Sequence, residues 1–135
     1  SDFGMIDHGV SCDVVNDPAS STGRVCRLNG TAYRWMQTIY SQPEDSGSWR
    51  VFVSARVESN TADGPAIAMG VWDHEYYKPV VTKRIDTPDT SPTKYVTYDL
   101  GIHDFGKRIS VWVSVLEGGK AVSAVYIDRV VLVRQ

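Results

Sequence analysis

The densest run of chemically capable side chains is Trp72-Asp-His-Glu-Tyr-Tyr-Lys78. Asp73, His74, Glu75 and Lys78 supply donors and acceptors, and Tyr76 and Tyr77 add rings that carry a hydroxyl. Aromatic faces beside fixed polar groups are what recognise sugars, whose apolar C–H faces are ringed by hydroxyls. A second chemistry fits the same run. A His74 or tyrosine base beside Lys78, which would neutralise a uronate, is the layout of a small β-eliminating polysaccharide lyase. The bland alternative is a solvated loop whose tyrosines pack back on the fold. Tyr33-Arg34-Trp35 is another candidate, because the Arg34 guanidinium matches a sugar carboxylate bidentately or pairs with a neighbouring acid. Elsewhere no catalytic signature is present: there is no G-x-S-x-G, no H-E-x-x-H and no Cys/His metal spacing. His8, His74 and His103 are scattered, and sixteen carboxylates always include some pair able to meet, so their number is no evidence of a glycosidase dyad.

The elements that must position these residues are strands. Short β-rich runs recur near 11–16, 23–28, 33–41, 48–58, 65–73, 79–85, 94–99, 107–116 and 123–134, separated by breakers such as DPASSTG, LNGT, QPEDSG, SNTADGP and DTPDTSP. Helical periodicity is almost absent. Nine strands of this kind predict an all-β chain, a two-sheet antiparallel β-sandwich with jelly-roll wiring, forming one domain over 1–135. Alternation separates the two faces of each strand. Ile67, Met69 and Val71 point one way, and Ala66, Ala68, Gly70 and Trp72 the other. Ile109, Val111, Val113 and Val115 oppose Ser110, Trp112 and Ser114. Trp49, Val51, Val53, Ala55 and Val57 oppose Arg50, Phe52, Ser54 and Arg56. The second faces mix small residues with isolated Trp, Phe and Arg. Either the small side chains lower this surface into a groove in which Trp72 and Trp112 stack sugar rings, with Arg56 as a further candidate, or the two tryptophans make a second small core.

Composition narrows the classes. The chain has 135 residues, a net charge of −2, 42% hydrophobic and 22% charged residues, as expected of a folded domain. Fourteen basic against sixteen acidic residues leave no excess of positive charge for a phosphate backbone, so nucleic acid is not an expected partner. No apolar run reaches the ~20 residues of a membrane span. The opening SDFGMIDHGV lacks the pattern of a signal peptide and the sequence closes on a strand, so the expectation is a domain cut from a longer protein. Cys12 and Cys26 flank DPASSTG with Ala19 midway. A hairpin turning there places them opposite each other, within disulfide reach, although two unlinked core thiols fit equally.

Three stretches carry a resemblance: VVNDPASSTGRVCRL, WRVFVSARVE with GVWD, and KYVTYDLG with VYIDRVVLVRQ. Together they resemble the galactose-binding-like β-sandwich modules attached to bacterial glycoside hydrolases and related polysaccharide-degrading proteins. The resemblance implies a non-catalytic carbohydrate-binding module, secreted or at the cell surface. It would bind a polysaccharide or oligosaccharide and hold a covalently linked enzyme on its substrate, with no required cofactor. A structural or protein-interaction sandwich is the other non-enzymatic alternative. Relatives bind through a sheet face or edge loops, and many hold a structural calcium near the first and last strands. Asp13, Asp17 and Asp128 are the matching positions here, although a glutamate that some relatives carry in the first strand is missing. The strand motifs shared with the family leave Tyr95, Tyr98 and Tyr126 as structural residues. Trp35, Trp72, Trp112, Tyr76 and Tyr77 remain available to a ligand.

Overall fold

The computed structural model describes residues 2–4, 12–30, 34–40, 47–116 and 121–135, with side chains over 13–30, 47–116 and 121–135. Among the described residues there are ten strands: β1 (Asp2–Gly4), β2 (Cys12–Asn16), β3 (Arg24–Asn29), β4 (Arg34–Tyr40), β5 (Ser48–Ser59), β6 (Pro65–Asp73), β7 (Lys78–Asp86), β8 (Val96–Asp104), β9 (Arg108–Val115) and β10 (Val122–Arg134). They make two antiparallel sheets. One runs β2-β3-β10-β5-β8, with β1 also on β10, and the other runs β4-β9-β6-β7. The chain changes sheet at every connection except those joining β1 to β3 and the β6–β7 hairpin, as the jelly-roll expectation requires. No helix of the described residues is long and apolar enough to cross a membrane.

The alternation reads through to the core. Val51, Val53, Ala55 and Val57 of β5, Val125, Ile127, Val130 and Leu132 of β10, and Leu28 of β3 line one sheet. Ile67, Met69, Val71, Val111 and Val113 line the other, and all these side chains are buried between the sheets. Trp49 is buried at one end of the same core, and Tyr98 is buried with its hydroxyl donating to the Asp89 carbonyl (2.9 Å).

Three details differ from expectation. Strand β1 was not anticipated: three residues carry no period, and β1 exists only through its register on β10 (Phe3 opposite Val130). Strand β8 continues five residues past Asp99, because Gly101 takes a left-handed φ of +88° and the strand resumes opposite Trp49 and Ser48. The first hairpin turns one position later than its midpoint suggested. Val14 faces Cys26 and Cys12 faces Leu28, so the two cysteines are diagonal rather than directly opposed. Cys26 is nonetheless disulfide-bonded, and Cys12 is the chain's one other cysteine.

Candidate functional site

The outer face of the four-stranded sheet carries both outward tryptophans. Trp72 on β6 is the cross-strand partner of Ser110 on β9, and Gly70 is the partner of Trp112. The two indoles are therefore diagonal neighbours on adjacent strands, a spacing over which large side chains form one surface. A Cβ at Gly70 would lie 2.7 Å from Cζ2 and 2.9 Å from Cε2 of Trp112, so the indole occupies the space the glycine leaves. Around the rings the small residues are covered: Ala68, Ser110 and Ser114 are buried, while both tryptophans are only half-buried. Ala66, expected on this face, lies at the register shift between Pro65 and Ile67 and is buried in the core instead. The expected groove is filled in. The surface is a platform of two rings resting on a small-residue floor, which combines both readings of the sequence. Arg34, Met36 and Thr38 of β4 pair in register with Ser114, Trp112 and Ser110. The side chains of Arg34 and Trp35 lie outside the described residues, as does Tyr33.

The β6–β7 turn borders this platform, and its polar residues divide into two groups. Asp73 is 1% exposed and does not face a ligand. Its Oδ1 accepts the N–H groups of Glu75 (2.8 Å) and Tyr76 (3.0 Å), and its Oδ2 accepts that of Gly106 (2.9 Å). Burial alone would raise its pKa, but the N–H groups of Gly106, Tyr76 and Glu75, with the Lys78 charge, outweigh it and hold the carboxyl below its ordinary value. Glu75 accepts the Lys107 N–H (2.7 Å), and the His74 N–H donates to the Arg108 carbonyl (2.9 Å). The His74 Nε2 lies 2.6 Å from Ser110 Oγ. Asp73, Glu75 and His74 thus fasten this turn to the β8–β9 connection. Tyr76 and Tyr77 are the outward group, 65% and 80% exposed. Tyr77 meets Trp72 edge to face, with ring centroids 5.3 Å apart and planes at 82°, and the Lys78 ammonium sits 5.9 Å from the Tyr76 ring centroid.

Arg56 is placed elsewhere and engaged internally. On the outer face of the six-stranded sheet its Nε donates to Asp17 (2.9 Å), its Nη1 donates to the Pro92 carbonyl (2.7 Å), and its guanidinium lies 3.7 Å from the Tyr126 ring centroid. Tyr95 donates its hydroxyl to the same Asp17 oxygen (2.6 Å). Asp17 is buried, which raises its pKa. The Tyr95 and Arg56 bonds and the Ala19 N–H reverse that and leave it lowered, while burial and the Asp17 bond push the Tyr95 hydroxyl well up. Arg56 is thus a clamp between the first hairpin and the Tyr95 segment. Sequence spacing could not show this, because the partners are 39 residues apart.

Asp13, Asp17 and Asp128 do not assemble a calcium set. Asp13 is exposed on β2, Asp17 already holds a guanidinium, and Asp128 accepts the N–H and hydroxyl of Ser21 (3.1 and 3.0 Å). Among the described residues no group of three or more His, Cys, Asp or Glu side chains could hold a metal ion. The residues that the resemblance offered for calcium therefore do not fit it.

Phe52 and Ser54, expected on an outward face but not offered as ligand residues, line a groove of about 430 Å³ on the other sheet with Thr97, Arg129, Val131, Val133 and Ser21. It has one aromatic ring, against the two tryptophans and two exposed tyrosines of the opposite face.

No protein-family model matches the sequence, and no curated protein matches it. Solved structures do match the fold. A family 61 carbohydrate-binding module in complex with β-1,4-galactotriose aligns over 100% of this chain and 88% of its own, at 18% identity and a TM-score of 0.65. A family 36 module of a multidomain xylanase from the hindgut metagenome of Trinervitermes trinervoides aligns over 100% and 97%, at 14% identity and a TM-score of 0.64. An exo-β-1,3-galactanase from Phanerochaete chrysosporium, bound to β-1,3-galactotriose, aligns over 98% of this chain at 13% identity and a TM-score of 0.57, and the chain spans 27% of its length. The chain has the β-sandwich fold of these carbohydrate-binding modules.

Proposed function

We propose that this domain is a non-catalytic glycan-binding module whose binding surface is the outer face of the four-stranded sheet. The observation that carries the reading is the pair of half-buried indoles, Trp72 and Trp112, at diagonal register positions on adjacent strands of one outer face, with Gly70 making room for the Trp112 ring. Exposed ring area on a rigid sheet, with tyrosine hydroxyls and Lys78 at its border, offers stacking and hydrogen bonding without a charged field. The fold supports the reading, and the solved modules named above include one holding a β-1,4-galactoside and one from a xylanase. β-Galactans and xylan are therefore the first glycans to try. A linked catalytic domain and export from the cell belong to the same proposal. The lyase alternative gains no support from the solved structures, among which the whole-length matches are carbohydrate-binding modules.

The test is retardation in affinity gels across an array of plant and microbial polysaccharides that includes β-1,4-galactan, β-1,3-galactan and xylan. Affinity is expected in the micromolar to millimolar range, about −4 to −8 kcal/mol. The Trp72→Ala/Trp112→Ala variant should lose retardation; because both rings are partly buried its thermal midpoint falls as well, so retardation is compared at a temperature where circular dichroism shows the variant folded. Retention by that variant with loss in Phe52→Ala would move the site to the other sheet and refute the assignment. A wild type that binds no glycan would refute the function.

A further inference from the structure

Tyr77 is the one non-glycine residue with a positive φ among those described, at +53°. The left-handed conformation crowds a Cβ against the following carbonyl, so hairpin sequences ordinarily place Gly or Asn there, and a bulky residue is an outlier. Burial does not compensate, because the side chain is 80% exposed and its ring contact is Trp72 alone among the described residues. The residues on its N-terminal side are firmly held. Asp73 gathers three N–H groups, and Glu75 and His74 tie the turn to Lys107 and Arg108. Local strain that a surrounding network over-determines, on an exposed ring beside a binding surface, is the pattern of a side chain held ready for a ligand.

We propose that Tyr77 is the end-stop of the glycan site, so that the platform takes the end of a glycan chain rather than its middle. This rests on the binding reading given above. Trp72 is the last outward side chain of β6, since Asp73 turns inward and the hairpin follows. A ligand laid from Trp112 to Trp72 runs toward that hairpin and there meets Tyr77, whose ring stands at 82° to the Trp72 indole. Two perpendicular rings make a corner. The terminal sugar fits it with one face on the floor and one edge against the wall, and a chain cannot continue straight past it.

The experiment compares wild type, Tyr77→Gly and Tyr77→Phe on whichever array polysaccharide retains the wild type, before and after partial cleavage by an endo-acting hydrolase. Bound wild type per unit mass of glycan is expected to rise in proportion to the chain ends created. Tyr77→Gly relieves the backbone and should hold or raise the thermal midpoint while weakening retention at least tenfold. Tyr77→Phe, which keeps the ring and loses the hydroxyl, should keep the thermal midpoint and the rise with chain ends, and should weaken retention less than Tyr77→Gly. An unchanged number of sites after cleavage overturns the inference, as does a Tyr77→Gly variant that keeps its affinity or loses thermal stability. If binding depends on Trp72 and Trp112 but ignores Tyr77, the end-stop alone fails. If the wild type binds no glycan, the function fails and the end-stop with it.

Discussion

Replacing Gly70 with Ala tests the platform directly, because two effects of opposite sign compete and the structure decides between them. The φ of Gly70 is not positive, so an alanine backbone is allowed there, and removing a strand glycine returns about 0.5–1 kcal/mol of conformational entropy. Against that gain, the new methyl would lie 2.7 and 2.9 Å from Trp112 ring atoms and press on the Val81 carbonyl oxygen of β7. The indole can tilt away, but the carbonyl belongs to a paired strand and cannot move without disturbing the β6–β7 ladder. Overpacking costs about 1–3 kcal/mol, and a clash with paired backbone places this site in the upper half of that range, so the net expectation is a loss of about 1–2 kcal/mol. For a chain of this size that lowers the midpoint by roughly 3–8 °C. The assay is urea unfolding followed by tryptophan fluorescence, with glycan retardation on the same samples. In the Gly70→Ala/Trp112→Ala double variant the ring clash disappears while the Val81 clash stays, so the two losses should fall short of additive by at least about 0.5 kcal/mol. A Gly70→Ala protein as stable as wild type, or strictly additive losses, would refute the seating of Trp112 on this glycine.

Arg56→Met should cost about 3 kcal/mol in urea unfolding, because it strands Asp17, whose side chain is 8% exposed, with Tyr95 and one N–H; Glu58, 41% exposed, loses little. Asp17 and Asp73 both have folded-state pKa values below the ordinary carboxylate value, so their stabilisation is complete above about pH 4 and fades as pH falls through the lowered folded values. Unfolding free energy measured from pH 6 to pH 2 should decline most steeply below pH 4, with a shallower decline in Asp17→Asn. Reduction of the Cys26 disulfide should lower stability by about 3 kcal/mol, given a loop of roughly 15 residues, and the loss should appear on titration with dithiothreitol.

Much of this was legible in the sequence for a simple physical reason: a two-residue period reports which face is buried. The alternation of Ile67, Met69 and Val71 against Gly70 and Trp72, and of Val111 and Val113 against Trp112, put the two tryptophans outside the core before any pairing was known. What the period cannot report is what comes to meet an outward residue. The burial of Ser110 depends on β6 and the turn that follows it, and the Arg56 guanidinium faces partners from two distant segments. Asp73 looked like a sugar ligand because its type and loop position suit that task. Its role as a fastener depends on Gly106, 33 residues away. The left-handed backbone at Tyr77 runs against local preference, so only the folded structure reveals it.

Strand β10 has a consequence for how this fold is reached. It lies against β5 along nearly its whole length on one edge, and against β3 and then β1 on the other. The strands made earliest therefore have no route to the centre of their sheet except through the one made last. Until Val122–Arg134 leaves the ribosome, β5 and β3 present open edges, while the β6–β7 hairpin can close by itself. Folding should thus be slow and governed by distant pairings, with the aromatic turn formed early and the large sheet completed in a late step. A nascent chain halted before Val122 would be exposed to edge-to-edge aggregation.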